Sequence, residues 1–165
     1  MKKAILSAII TTVTFFSVTT HAATTDQGTL NLSGVVNEAV SLSIAAEAVA
    51  GSLDLATTQS DLLVATVTEN SNTALGYDVT ISSANDSVLE RNGGTETIGY
   101  TLKYDGSAID LSSSSTTAAA AKSDATGGVV TDTSQVQISY TGVNEAQTVA
   151  GTYEDTLTIE IAAKN

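Results

Sequence analysis

The sequence predicts an all-β sandwich, and three observations carry that expectation. Apolar and polar residues alternate with period two in several short stretches. Clusters of Gly, Asn, Asp and Ser separate those stretches. Beyond the first segment, no window sustains the 3.6-residue period of an amphipathic helix. The chain has 165 residues, enough for about one domain.

The first segment reads as an address. Lys2 and Lys3 precede a mostly apolar stretch from Ala4 to Val18, and Thr20-His21-Ala22 offers small residues at a cleavage site. This is the pattern of a secretory signal peptide cut after Ala22. The apolar run is too short and too rich in Thr to span a membrane comfortably. Removing residues 1–22 leaves 143 residues and changes the formal charge from −12 to −14. The remaining chain holds no Cys, His, Trp, Phe, Met or Pro, and its aromatics are Tyr77, Tyr100, Tyr104, Tyr140 and Tyr153.

The strands follow in order. Leu30, Leu32, Gly34 and Val36 fall on one face of an extended stretch, followed by Leu42 and Ile44. Tyr77, Val79 and Ile81 alternate with Asp78, Thr80 and Ser82. Ile98, Tyr100, Leu102 and Tyr104 alternate with Gly99, Thr101 and Lys103. Val136, Ile138 and Tyr140 alternate with Gln137 and Ser139. Leu157, Ile159 and Ile161 alternate with Thr156, Thr158 and Glu160. Each stretch reads as a strand with one buried and one wet face. Turns are expected at Asn70-Ser71-Asn72, Asn92-Gly93-Gly94, Asp105-Gly106, Gly127-Gly128 and Gly142-Val143-Asn144. Asp105-Gly106, between Leu102/Tyr104 and Ile109/Leu111, signals a hairpin. Glu47–Ala50 fits a strand poorly, and Ser112–Asp124 reads as a loop with one helical turn. With so few aromatics, the core must come from Val, Leu, Ile, Ala and a few Tyr.

Composition narrows the function classes. Without Cys there is no disulfide, thiol nucleophile or Cys-based zinc site. Without His after residue 22 there is no Ser-His-Asp triad. An enzyme is not expected, nor a cofactor or metal. The acids are scattered singly and read as solvated surface charge. An acidic chain with so few cations is not a nucleic-acid binder, because phosphate contacts need Lys and Arg.

Both ends of the mature chain resemble a known family. The segment AATTDQGTLNLSGVVNEAV from Ala22 carries Gly28, Thr29, Leu30, Leu32, Gly34 and Val36. This is similar to the N-terminal extension of chaperone–usher pilins, the subunits of bacterial fimbriae. The C-terminal AGTYEDTLTIEIAAKN resembles the last strand of those pilins and of spore-coat-U-like secreted proteins, with Gly151 fourteen residues before the end. The chain departs from the pattern of many pilins in two places. Glu38-Ala39-Val40-Ser41 stands where they place an early Cys, and Lys164 where they place a penultimate Tyr. It therefore resembles a cysteine-free branch of the pilins or a spore-coat-U-like relative.

The resemblance implies an immunoglobulin-like sandwich lacking its last strand, completed by donor-strand exchange. Residues 1–22 would be the signal, 23–36 the donor extension and 37–165 the sandwich. The donor residues would be Leu30, Leu32, Gly34 and Val36. Gly151, Tyr153, Leu157, Ile159, Ile161 and the terminal Asn165 would form the acceptor groove and chaperone contact. The implied partners are copies of the chain or other pilins, a periplasmic chaperone and an outer-membrane usher. The implied destination, through the periplasm, is a fimbria on the cell surface that supports adhesion or biofilm formation. A length of 143 residues leaves no room for a separate receptor-binding domain. The alternative is a monomeric secreted binding sandwich for carbohydrate or calcium, with Asp54, Asp61, Asp86 and Asp105 as oxygen ligands. No Asp-x-Asp-x-Asp-Gly loop is present to support it.

Overall fold

A computed structural model describes residues 26–165. The signal segment and the first residues of the extension lie outside the described residues. The described chain is all-β, with every strand pair antiparallel. Its strands are β1 (Val40–Ala46), β2 (Gln59–Ser71), β3 (Tyr77–Ser83), β4 (Val88–Arg91) and β5 (Thr97–Tyr104). They continue with β6 (Ser107–Ile109), β7 (Ala119–Asp124), β8 (Val130–Tyr140), β9 (Tyr153–Glu154) and β10 (Leu157–Ala163).

The strands form two sheets. The larger runs β1-β2-β8-β5-β4-β9, with β6 also pairing β5; the smaller runs β10-β3-β7. Residues from both sheets build one core. Val67, Leu102, Tyr104 and Val136 come from the large sheet, and Tyr77, Val79 and Ile81 from the small one. Period two explains this: in β3, Tyr77, Val79, Ile81 and Ser83 are buried while Asp78, Thr80 and Ser82 are half-buried. The core is aliphatic with four tyrosines, as expected from composition.

The expected hairpin forms at Asp105-Gly106. Tyr104 pairs with Ser107, and both turn residues have positive φ, 48° and 77°. These are the dihedrals of a two-residue type I′ turn. Gly76, just before β3, has φ +88°, and a Cβ there would lie 2.1 Å from the Asp124 carbonyl oxygen. Only glycine lets β3 start so close to the end of β7.

Several expectations need correction. Ser112–Asp124 is not simply a loop with a helical turn, because Ala119–Asp124 is strand β7, paired with β3. Alanine has little strand preference of its own, and the neighbouring edge decides its conformation. The long strand β2 was not expected, and Asn70-Ser71 ends it rather than turning the chain. Its pattern is hidden because Leu62, Leu63, Val64 and Ala65 are consecutive. Register shifts between Gln59/Leu62 and Leu63/Ala65 break the alternation there. Glu47–Ala50 leads into a short 3-10 helix, Ala48–Gly51. Residues 26–39 carry no regular secondary structure, so the stretch holding Leu30, Leu32, Gly34 and Val36 is not a strand here. A strand exists only with a ladder partner.

Candidate functional site: an open cleft between two edge strands

β1 ends the large sheet and β10 ends the small one, and each pairs on one side only among the described residues. Two ladder edges are therefore open along one side of the sandwich. An apolar cleft of about 290 Å³ opens there. Ile44 and Ala46 of β1 and Leu157 and Ile159 of β10 form its walls, and Val64, Leu89, Val136 and Ile138 reach it from the core. Ile44 is 50% exposed although it sits on a strand, because nothing covers it.

Local chemistry fixes the start of β10. Asp155 Oδ2 accepts hydrogen bonds from Ser83 Oγ at 2.6 Å and the Tyr100 hydroxyl at 2.5 Å. Its Oδ1 accepts from the Asn85 amide at 3.0 Å and the Thr156 amide at 2.7 Å. One carboxylate thus ties β3, the turn after it, β5 and β10 together beside the cleft. Burial, and then the bond to Asp155, push the Tyr100 hydroxyl far above its usual pKa.

A second polar group lies between the sheets. Glu69 is fully buried and accepts from the Tyr77 hydroxyl at 2.7 Å, from the Tyr104 hydroxyl, and from Lys122 Nζ at 2.7 Å. Asp132 Oδ2 lies 2.9 Å from the same Tyr77 hydroxyl, whose one proton the two carboxylates share, and accepts from Lys122 at 3.2 Å. Burial alone would raise the Glu69 pKa, but the bonds from Lys122, Tyr104 and Tyr77 outweigh it and hold the carboxyl below its usual range. No buried side-chain polar atom among the described residues lacks a partner.

The expected site residues fall into four places. Leu157 and Ile159 line the cleft, and Ile161 follows them on the same face of β10, half-buried against the core. Gly151 and Tyr153 lie away from it, beside β4. A Cβ at Gly151 would meet Arg91 Cγ at 2.9 Å, and Tyr153 pairs with Arg91 while its hydroxyl bonds the Val149 carbonyl. Asn165 is exposed, and Lys164 before it holds the Asp124 carbonyl at 2.7 Å. On the extension, Leu30, Leu32 and Val36 are at least 80% exposed, and nothing lies within 4 Å of a Cβ built on Gly34.

Sequence reasoning missed Ile44, Asp155, Glu69 and Lys122 as site or network residues. Glu69 contradicts the expectation that the acids are surface charge. The signal was present: Ala65, Val67, Glu69 and Ser71 share one strand face, so a lone acid stands in the buried phase of β2. The four aspartates weighed for calcium serve separate places. Asp54 binds the Ala56 amide, Asp61 pairs with Lys103, Asp86 binds the Ser115 amide and Asp105 turns the hairpin. Among the described residues, no group of three or more His, Cys, Asp or Glu is gathered as metal ligands would be.

Fold and site define a class: an all-β domain of two antiparallel sheets around one core, left open between two edge strands. Neither a scan against protein-family models nor a search of curated proteins gives a match to this chain.

Proposed function

We propose that this protein is a structural subunit of an extracellular fimbria of the chaperone–usher kind. It polymerises head to tail by donor-strand complementation. Its domain is an immunoglobulin-like sandwich lacking its last strand. Residues 23–36 of one copy complete the cleft of the next, after a periplasmic chaperone has occupied it and an outer-membrane usher has handled the exchange.

The observation that carries the reading is the cleft itself, apolar and flanked by two strand edges without partners. The extension supplies a matching strand. Leu30 to Val36 spans seven residues, as does β10, and both cover about 23 Å at roughly 3.3 Å per residue. Its apolar residues alternate, as strand addition requires: main-chain bonds give affinity and every second side chain gives register. Burying Leu30, Leu32 and Val36 contributes about 1.5–3 kcal/mol each. Donation from copy to copy is heterologous and does not close, so an open filament follows.

The test is a surface extract run on a gel without boiling, compared with the same extract from a strain whose protein lacks residues 23–36. A ladder of multiples that disappears with the deletion supports the reading. Normal assembly of the deleted protein overturns it. Residues 23–36 grafted after Asn165 through a flexible linker should give a soluble, self-complemented monomer.

A further inference from the structure

The turn between β4 and β5 holds the chain's only Asn-Gly pair, Asn92-Gly93. Asn92 and Gly93 are both exposed at its tip. Gly93 has φ +72°, and nothing lies within 4 Å of the position a Cβ would take. Among the described residues, the Asn92 side chain makes no hydrogen bond and the Gly93 amide donates to no acceptor. The other internal asparagines precede residues that carry side chains. Several are also held: Asn72 by Ala39 and Asn37, Asn85 by Glu154, and Asn70 by Thr131.

From this juxtaposition we infer that Asn92 is a site of spontaneous, water-dependent deamidation in the folded protein. Solvent base removes the Gly93 amide proton, and that nitrogen attacks Asn92 Cγ. The N–Cγ bond forms, the Cγ–Nδ2 bond breaks, and Nδ2 leaves as ammonia after taking up a proton. The resulting cyclic imide is opened by one water molecule at either carbonyl. An aspartyl or an isoaspartyl residue remains at position 92, with no change in oxidation state. Glycine matters twice: it has no side chain to obstruct the attack, and its backbone can turn to present the nitrogen.

The site is coupled to the rest of the fold. The Asn92 amide donates to the Thr152 carbonyl at 2.8 Å, and the Gly94 amide closes the turn on the Arg91 carbonyl at 2.9 Å. An isoaspartyl link adds a backbone carbon between those two bonds. It pulls on the Arg91–Tyr153 pairing of β4 with β9, two residues before Asp155 and the start of β10. Each conversion also adds one negative charge to an acidic surface.

The experiment uses the full mature protein, folded, kept in warm, mildly alkaline buffer and sampled over days. Intact mass and peptide mapping read the change. A one-dalton gain is expected on the peptide holding Asn92, split between aspartyl and isoaspartyl forms. In water enriched in oxygen-18 the new oxygen carries the label. Asn92→Gln and Asn92→Ser, both at an exposed turn, should abolish the gain. Asp105-Gly106 can form the same imide only by expelling water, so in ordinary water rehydration there leaves the mass unchanged, and peptide mapping separates any oxygen-18 taken up there from that at position 92. A folded protein unchanged at position 92 while the urea-unfolded chain converts overturns the inference. A gain that maps to another asparagine with position 92 intact overturns it equally.

Discussion

The Tyr77 hydroxyl donates to Glu69 Oε2 at 2.7 Å, joining the small sheet to the large one through a buried carboxylate. Tyr104 and Lys122 complete the shell around Glu69, and Lys122 Nζ also sits 5.8 Å from the centre of the Tyr77 ring. Removing one member of such a group leaves the others with fewer partners in a buried place. Glu69→Leu should therefore cost about 3–5 kcal/mol, because Lys122 loses its buried counter-charge and keeps only the more exposed carboxylate of Asp132 and the neutral Ser134 hydroxyl. Tyr77→Phe should cost about 1–3 kcal/mol, the loss of one hydrogen bond to a buried charged acceptor that keeps Lys122 and Tyr104. Urea unfolding of the self-complemented protein measures both, read as a fall in midpoint at constant slope.

The buried carboxylate–tyrosine groups around Glu69 and Asp155 shape the pH limits of stability. The Glu69 carboxyl titrates below its usual 4.5 in the fold, so the unfolded chain takes up the proton first as pH falls. Its contribution is complete above about 4.5 and is lost as pH drops through the depressed folded value. At the alkaline end, Tyr77, Tyr100 and Tyr104 are raised above their usual 10.0, chiefly by burial and then by carboxylate partners. The unfolded chain releases those protons first, so stability falls above about pH 10. The urea midpoint should form a plateau between these limits, and Glu69→Gln should flatten the acid limb.

The strands that alternate cleanly were legible in the sequence. In β3, β5, β8 and β10, solvent touches one face, and period two writes that fact into the residues. The hairpin at Asp105-Gly106 was legible because its turn needs two positive φ values. β7 and β2 were not. The register shift between Val79 and Thr80 changes the phase of β7, so Lys122 points inward from an alanine run. The cleft was half legible. Leu157 and Ile159 announced an apolar strand face, but that nothing covers it is a property of sheet order. Asp155 was invisible for a related reason: its four donors come from positions up to 72 residues away.

Asn72 governs where the chain enters β1. Its Oδ1 accepts the Ala39 amide at 2.6 Å and its Nδ2 donates to the Asn37 carbonyl at 3.1 Å, while the Ala39 carbonyl accepts the Asn72 amide. One side chain thus extends the β1–β2 ladder past Val40. Asn72→Ala should cost only about 0.5–1.5 kcal/mol, since the site is exposed. Its clear signature is local. Hydrogen exchange at Ala39 should accelerate, while exchange at the core amides of β2 and β8 should keep its order.

Asp155→Ala should act on the cleft rather than on the whole core. It leaves the Ser83 and Tyr100 hydroxyls without their acceptor at the point where β10 begins. Hydrogen bonds to a charged group contribute about 1.5–3 kcal/mol each, and water replaces part of that at this half-exposed site. The expected readout is faster proteolysis within residues 152–157, with cleavage elsewhere unchanged.

The period of β10 gives the sharpest test of strand donation. Ile159 faces the cleft, while Thr158 and Glu160 face out and are exposed. A filled cleft makes the two faces unequal in assembly. Ile159→Asp forfeits about 1.5–3 kcal/mol of apolar burial and places a charge where a donor strand has none to offer in return. Glu160→Gln, one residue away, touches only the wet face. On an unboiled gel the first variant should lose the ladder of multiples and the second should keep it. To separate lost donation from lost folding, Ile159→Asp is also made in the self-complemented monomer, where circular dichroism should still report a sheet of lower melting temperature. If Ile159→Asp polymerises as well as Glu160→Gln does, the cleft is not where the copies join.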